Sequence, residues 1–471
     1  MLTSSILIQF RVPQRIMHMS LMQSRTLMLN PNEGGGPQVD EQELSFQQRK
    51  IKIHERLVDE LDLSMLAHVS HEELSEEVRQ ISKELLVEEK IELEASDRER
   101  MLDELFDEVF GLGPLEVLMR DDSISDILVN NAYEVFVERK GRLEESDVIF
   151  ADDKHLIRII QRIVSRVGRR IDELSPMVDA RLPDGSRINA VIPPMALDGP
   201  SLSIRRFGRN PLKIDNLTDN NTIHKDVVEF LSAAIDSRVS FLVSGGTGAG
   251  KTTLLNAMTQ FIPSDERVIT IEDSAELQLL NRHTLRMETR PPNNEGTGEI
   301  TQRALVRNSL RMRPDRIIIG EVRGGEALDM LQAMNTGHEG SLTTIHANDS
   351  LDALSRLELM VAMSGYDLPI PVVRQYIAAG ISLVVHLARL KGGVRRVMQV
   401  SEIVGLKEGG FHMEDVFGFE QTGVDELGVA QGEFYFTGYR PVCLSKLRAA
   451  GVRLPDELFD KRRIPVRTSF S

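Results

Sequence analysis

The run Gly245-Gly246-Thr247-Gly248-Ala249-Gly250-Lys251-Thr252 fits G-x-x-x-x-G-K-[ST] with no mismatch. Glycines at these steps let successive backbone N–H groups curl around a phosphate without Cβ clashes. A helix opening at Lys251 would aim its positive end at the same anion. Lys251 would place a cation on the β/γ oxygens. The Thr252 hydroxyl, followed by Thr253, suits Mg²⁺. This chemistry is the binding of a nucleoside triphosphate, with ATP and Mg²⁺ as the expected pair.

Hydrolysis would also need an acid near the metal and a group that orients water. Two apolar runs end in acids: Ile269-Thr270-Ile271-Glu272-Asp273, with Glu276 one turn on, and Ile317-Ile318-Ile319-Gly320-Glu321. In a parallel sheet, strand ends of this kind face the phosphates. The second ends in Gly-Glu where an Asp is usual. His338 and His346 bracket a further apolar run, and the position of His346 at its end suits a γ-phosphate contact. No third or fourth ligand stands at zinc spacing. Arg181, Arg187, Arg205 and Arg206 lie on or beside short strands of an upstream segment. They read either as exposed strand charges or as guanidinium groups reaching nucleotide phosphate across a domain boundary.

The elements that would position these groups follow from periodicity. Between Leu217 and Leu406, the apolar runs Val239–Val243, Val268–Ile271, Arg316–Ile319 and Ser341–Ile345 alternate with helical patterns. This predicts an α/β domain with a parallel sheet buried on both faces, spanning residues 211–455. Residues 111–210 predict a small α+β domain. It has strands around Ile127-Leu128-Val129 and Val135-Phe136-Val137, a helix from Leu156 to Val167, and a hairpin at Pro183-Asp184-Gly185. The polar run around Asn210-Pro211 reads as a hinge. Residues 44–110 predict an acidic helical arm, with capping boxes at Ser70/Glu73 and Ser96/Glu99. The arm reads as a solvated helix face or as a docking surface for a basic partner, since His71–Phe110 holds fifteen acids against five bases. Residues 1–43 read as a tail or an over-called start, and the Arg-rich, acid-poor stretch to Gly36 also matches transit-peptide composition. Residues 456–471 read as a loose basic tail.

Composition narrows the function. The chain has 471 residues, which predicts about three folding units. A net charge of −16 disfavours general duplex binding, and no direct nucleic-acid partner is expected. Cys443 is the only cysteine, so an intrachain disulfide or a cysteine zinc cluster is ruled out. No run approaches the ~20 apolar residues that span a bilayer.

The box Thr270–Leu277, the run Arg313-Pro314-Asp315-Arg316 into Gly320-Glu321-Val322-Arg323-Gly324, and the box from Gly337-His338 to His346-Ala347-Asn348 follow the phosphate loop in order. Together they resemble the type II/type IV secretion ATPases. Gly111–Glu116, Asp126–Asn130 and Asp179–Arg187 narrow the resemblance to the CpaF/TadA-type ATPases of tight-adherence (Flp) pili, across about residues 45–455. The resemblance implies a RecA-like P-loop domain in a homo-hexamer, cytoplasmic and peripheral on the inner membrane. Its partners would be polytopic platform proteins and, indirectly, pilin. Glu272 or Glu276 would activate water, Glu321 would support Mg²⁺, and His346 would sense γ-phosphate. Arg181, Arg187, Arg205 and Arg206 would close on the nucleotide. The absent tetracysteine module departs from pilus-extension and type II motors. The remaining readings are a type IV secretion ATPase, a small-molecule kinase, a nucleotide-gated scaffold and a nucleic-acid motor.

Overall fold

The computed structural model describes residues 41–60, 71–139, 141–208, 212–292 and 296–466. The Met1–Gly36 segment, the Ser70 cap and the Asn210-Pro211 hinge lie outside the described residues.

Three helices form the arm: α1 (Glu41–Glu60), α2 (His71–Glu88) and α3 (Ala95–Phe110). Their apolar stripes meet in one core that includes Ile53, Leu57, Val78, Leu85, Met101 and Leu105. The predicted Ser96 cap does not form. Helix α3 starts two residues earlier, from an N-cap at Glu94 that makes no side-chain capping bond. At its other end the chain leaves the helix at Gly111, as expected.

The small domain contains α4 (Glu116–Arg120), β1 (Ile124–Asn131), β2 (Glu134–Arg139), β3 (Arg142–Glu145), α5 (Asp153–Arg166), β4 (Met177–Arg181), β5 (Arg187–Val191) and β6 (Ser201–Arg205). Its sheet runs β3-β2-β1-β6-β5-β4, with antiparallel neighbours throughout. Helix α5 begins where the Asp152 side chain accepts from the His155 N–H at 2.6 Å. It buries Leu156, Ile159, Ile160, Ile163 and Val164 against strand residues such as Ile127, Val129 and Ile204.

The arm meets this domain through charge. Glu108 on α3 is buried, 3.3 Å from Lys50 on α1 and 3.2 Å from the His155 ring on α5. Lys50 also donates to Glu104 at 2.7 Å. Two arginines of α5 cap the end of α3: Arg162 donates to the Glu108 carbonyl and Arg166 to the Phe110 carbonyl.

The large domain begins with α6 (Ile214–Asp219), α7 (Lys225–Asp236), β7 (Phe241–Gly245), α8 (Lys251–Met258), β8 (Val268–Glu272), β9 (Thr284–Glu288), α9 (Gln302–Ser309), β10 (Arg316–Ile319), α10 (Glu326–Asn335), β11 (Leu342–His346), α11 (Ser350–Ala362) and α12 (Ile370–Gly380). It continues with β12 (Leu383–Arg389), β13 (Arg395–Lys407), β14 (Gly410–Val424), β15 (Ala430–Phe436), α13 (Leu444–Ala449) and β16 (Arg462–Val466). Its sheet order is β16-β15-β14-β13-β12-β7-β11-β10-β8-β9. The strands from β12 to β9 pair in parallel. The strands from β13 to β16 extend the sheet in antiparallel pairs.

Both faces of the parallel half are covered, which explains why its strands read as unbroken apolar runs. Phe241 and Val243 face a core with Phe230 of α7 and Leu254 of α8. Leu242, between them, faces a second core with Leu331 of α10 and Leu357 of α11. This is the expected RecA-like α/β arrangement, preceded by a small α+β domain and a helical arm. The tail beyond Phe459 corrects an expectation. Residues 462–466 form an edge strand on β15, with Arg462 stacked 3.8 Å from the Phe436 ring centroid and paired to Asp226 at 2.6 Å.

Candidate nucleotide site

Strand β7 runs into residues 245–250 and α8 emerges from them, so the glycine-rich loop joins a buried strand to a helix N-terminus. Gly250 caps α8 at φ 96°, a left-handed conformation that favours glycine. Lys251 folds back and donates to the Gly245 and Gly246 carbonyls at 3.0 and 3.1 Å. Burial pushes its pKa below the usual lysine value, against the pull of Glu321, with Arg323 and Arg205 adding to the depression.

The two acid-bearing strands lie beside this loop in the sheet order. Strand β11 sits between β7 and β10, and β8 lies beyond β10. Glu321 follows β10 in a bend held by three bonds. Thr344 Oγ1 donates to the Gly320 carbonyl at 2.7 Å, Val322 N–H to the Thr344 carbonyl at 2.9 Å, and Gln302 Nε2 to the Glu321 carbonyl at 3.0 Å. The Glu321 carboxylate stands 3.9 Å from Lys251 and accepts from Arg323 at 2.5 and 2.8 Å. The glycine before Glu321 has a steric reason: a Cβ on Gly320 would press to 3.0 Å of Glu272 Cγ.

Glu272 closes β8 and is buried. Its Oε2 accepts from the Glu276 and Leu277 N–H groups at 2.7 and 2.9 Å. Its Oε1 is buried with no hydrogen-bond partner. Burial raises its pKa above the ordinary glutamate value, opposed by those two N–H bonds. Such a group has the environment of a proton acceptor whose charged form is held in check. Glu276 is half-exposed, 3.9 Å from Arg187.

The histidines separate. His346 pairs in register with Gly245, which sets it on the phosphate-loop edge of the sheet. His338 precedes β11 and lies at the opposite edge, where Gly340 N–H donates to Ser240 Oγ at 2.9 Å. The small-domain arginines separate as well. Arg181 pairs with Glu288 and donates to the Ala275 carbonyl at 2.7 Å. With Arg187 on Glu276, two arginines of the small domain therefore meet the acidic box of the large one. Arg205 pairs with Asp126 at 3.4 Å and lies within electrostatic range of Lys251. Arg206 departs from expectation. Its guanidinium is buried in its own domain, donating to the Asp121, Ile124 and Met119 carbonyls, the last two at 3.2 and 2.8 Å. In this structure its two terminal nitrogens are bonded there rather than aimed at the loop.

Two arginines at the loop were not singled out from sequence. Arg395 Nε donates to the Gly248 carbonyl at 2.9 Å. Arg389 lies against Gly248 and donates to the Gly141 carbonyl of the small domain. The only sequence signal is an arginine at each end of a Lys391-Gly392-Gly393 turn.

Thr252 offers a hydroxyl and Glu321 a carboxylate, the hard oxygen chemistry that suits Mg²⁺. Among the described residues, no group of three or more His, Cys, Asp or Glu is placed to hold a metal by itself. Mg²⁺ in such a site would complete its shell with phosphate oxygens and water. Among the described residues, no helix is long and apolar enough to cross a membrane.

Residues 108–420, well over half of the chain, match the family described as "Type II/IV secretion system protein". A Mycobacterium tuberculosis (strain H37Rv) protein whose name assigns it provisionally to conjugal transfer is 39% identical over 300 residues, covering 62% of this chain and 85% of that protein. The type IV secretion system protein VirB11 of Brucella suis is 34% identical over 305 residues, covering 59% and 84%. A crystal structure of the VirB11 ATPase from the Brucella suis type IV secretion system, in complex with sulphate, superposes with a TM-score of 0.34 at 30% identity, over 62% of this chain and 96% of that one. On the family match, this chain belongs to the type II/IV secretion system proteins and is an ATPase.

Proposed function

We propose that the chain is a hexameric motor ATPase that powers assembly of tight-adherence (Flp) pili, or closely related secretion, from the cytoplasmic face of the inner membrane. The observation that carries the reading is the meeting of Arg181 and Arg187 with the acidic box of the large domain, beside a loop whose lysine faces Glu321. A cleft shared by two lobes can convert hydrolysis into movement of one against the other. The absence of a tetracysteine module, with Cys443 as the only cysteine, supports the tight-adherence or the type IV secretion branch, and the helical arm before Gly111 supports tight adherence over type IV secretion.

In this reading the loop N–H groups and Lys251 bind the triphosphate. Thr252 and, through water, Glu321 would hold Mg²⁺, which supplies charge neutralisation at the β and γ oxygens. Glu272, or Glu276 beside it, takes the proton of the attacking water as the γ-phosphoryl group leaves ADP. The products are ADP and inorganic phosphate. His346 reports on the γ-phosphate, and Arg181, Arg187 and Arg205 close on the nucleotide. Lobe movement would act on a polytopic membrane platform and, through it, on pilin.

A second reading, a type IV secretion or conjugation ATPase, is favoured by the names of the relatives. The test of the motor reading is ATPase rate against protein concentration, with mass measured in parallel. A rate per subunit that rises as hexamers form is expected. A constant rate from monomer would overturn the shared-site motor. Restoration of pilus assembly in a strain lacking the chain separates the two branches.

A further inference from the structure

The turn between β12 and β13 is wedged between the two lobes. Leu387 on β12 pairs with Gly245, so the turn at residues 390–394 emerges beside the phosphate loop. On one side, Arg395 Nε donates to the Gly248 carbonyl at 2.9 Å. Its Cδ lies 3.2 Å from where a Cβ on Gly250 would stand. On the other side, Arg389 donates to the carbonyl of Gly141, in the turn between β2 and β3. Arg389 Nη1 stands 3.5 Å from the corresponding Cβ position of Gly248. Arg395 thus bonds Gly248 of the phosphate loop, while Arg389 borders the same glycine and is bound to the small domain.

The chemistry of a phosphate nest gives these contacts a direction. The loop N–H groups serve the anion. A bond to a loop carbonyl leaves those donors free while fixing the peptide planes that carry them. Arg395 therefore holds the cradle without occupying it. A loop free to change conformation must be ordered on binding, and that ordering lowers affinity.

We propose that Arg395 is a positioning residue that holds the phosphate loop in its binding form, and that Arg389 straps this loop to the small domain. Arg395 then serves nucleotide affinity, and Arg389 serves the lobe movement that follows binding. The inference rests on the ATPase reading of the site.

The test uses the full chain, with the fluorescent nucleotide mant-ADP, steady-state ATPase kinetics and thermal melting. Wild type must bind mant-ADP and Lys251→Ala must lose it. Failure there would refute the site itself, separately from the strap. Arg395→Lys keeps the charge, but its nitrogen lies beyond the Nε position and cannot make the same bond. Both Arg395→Ala and Arg395→Lys are expected to raise the mant-ADP Kd about tenfold with unchanged melting, the scale of one lost charge-assisted bond. Arg389→Ala is expected to change Kd less than about twofold while lowering kcat about fivefold at saturating ATP, the mark of a step after binding. Wild-type affinity in Arg395→Lys would show that charge alone matters and overturn the positioning role, as would wild-type affinity in Arg395→Ala. Wild-type kcat in Arg389→Ala would overturn the strap.

Discussion

Glu321 stands 3.9 Å from Lys251, yet its carboxylate is bonded to Arg323 at 2.5 and 2.8 Å. The ammonium meanwhile donates to two carbonyls of its own loop. Lysine and glutamate face each other without a close ion pair, each held by other partners. An entering phosphate can exchange for the loop carbonyls without breaking a strong ion pair.

Lys251→Ala should therefore remove turnover, by about a hundredfold or more, because no other cation of the loop replaces it. Glu321→Gln should keep nucleotide binding and lower kcat by about tenfold to a hundredfold, as expected when metal support is weakened but the cradle is intact. Nucleotide titration alongside steady-state kinetics checks both. Equal kcat in either variant would refute the assignment.

Glu272 should be the acid whose loss costs most. Its Oε1 has no partner and burial raises its pKa. Glu272→Gln should lower kcat about a hundredfold to ten-thousandfold with little change in KM, the usual scale for a lost general base. Glu276→Gln should cost less, since Glu276 binds Glu272 through its backbone N–H, which the substitution keeps. A base must be deprotonated to act, so a raised pKa moves the acid limb of kcat/KM to higher pH than an ordinary glutamate would give. The pH–rate profile of wild type reads this directly.

Arg205 and Arg206 should behave differently despite being neighbours. Arg206→Ala removes a buried donor from the Met119, Asp121 and Ile124 carbonyls, of which the Asp121 carbonyl keeps the Ile124 N–H. It should cost about 1–3 kcal/mol of stability. Arg205→Ala should leave melting unchanged and lower kcat. Thermal melting and kinetics on the same two proteins decide it.

The arm should loosen in acid. Burial holds His54 of α1 down to about 4, against the pull of Glu108 and with Arg162, His155 and Arg158 of α5 adding to the depression. The Glu108 carboxyl sits at about 2: burial would raise it, but the His155 bond and the nearby Lys50 and His54 pull it lower still. A histidine with a depressed pKa binds its proton more readily when unfolded. Its contribution therefore falls as pH drops from about 6.5 toward 4. The glutamate contribution is complete above about 4.5 and is lost as pH falls toward 2. Melting temperature should decline between pH 7 and pH 5, and His54→Gln should flatten that decline. An unchanged slope in His54→Gln would remove His54 from the effect.

The parts legible in sequence are those fixed by local pattern. The phosphate loop is contiguous, and β10 coincides with the Arg316–Ile319 run because both faces of that strand are buried. Strand β9 (Thr284–Glu288) gave no such signal. It is a sheet edge with one paired neighbour, and none of its residues is fully buried. Strand β16 was hidden by its arginines, of which Arg462 packs its planar head on Phe436 of β15 and pairs with Asp226 of α7. Arg205 and Arg206 are adjacent on extended chain, so their side chains leave in opposite directions. Residue type suggested phosphate for both, and direction gave Arg206 to the domain interior. The arginines of the β12–β13 turn were invisible because their partners lie about 147 and 248 positions away.

The polar contacts between the small and large domains include Arg181 with Glu288 and the Ala275 carbonyl, Arg187 with Glu276, Arg389 with the Gly141 carbonyl, and Gln278 with the Gly208 carbonyl. The apolar cores of the two lobes are separate clusters. A seam of this kind buries little oil-like surface when it closes, so the heat-capacity change of closure is small and temperature shifts its balance only gently. Dissolved ions act on it directly, because half-exposed charge pairs are screened over about 8 Å at physiological ionic strength. Salt, more than warmth, is therefore the variable expected to shift the balance of this seam.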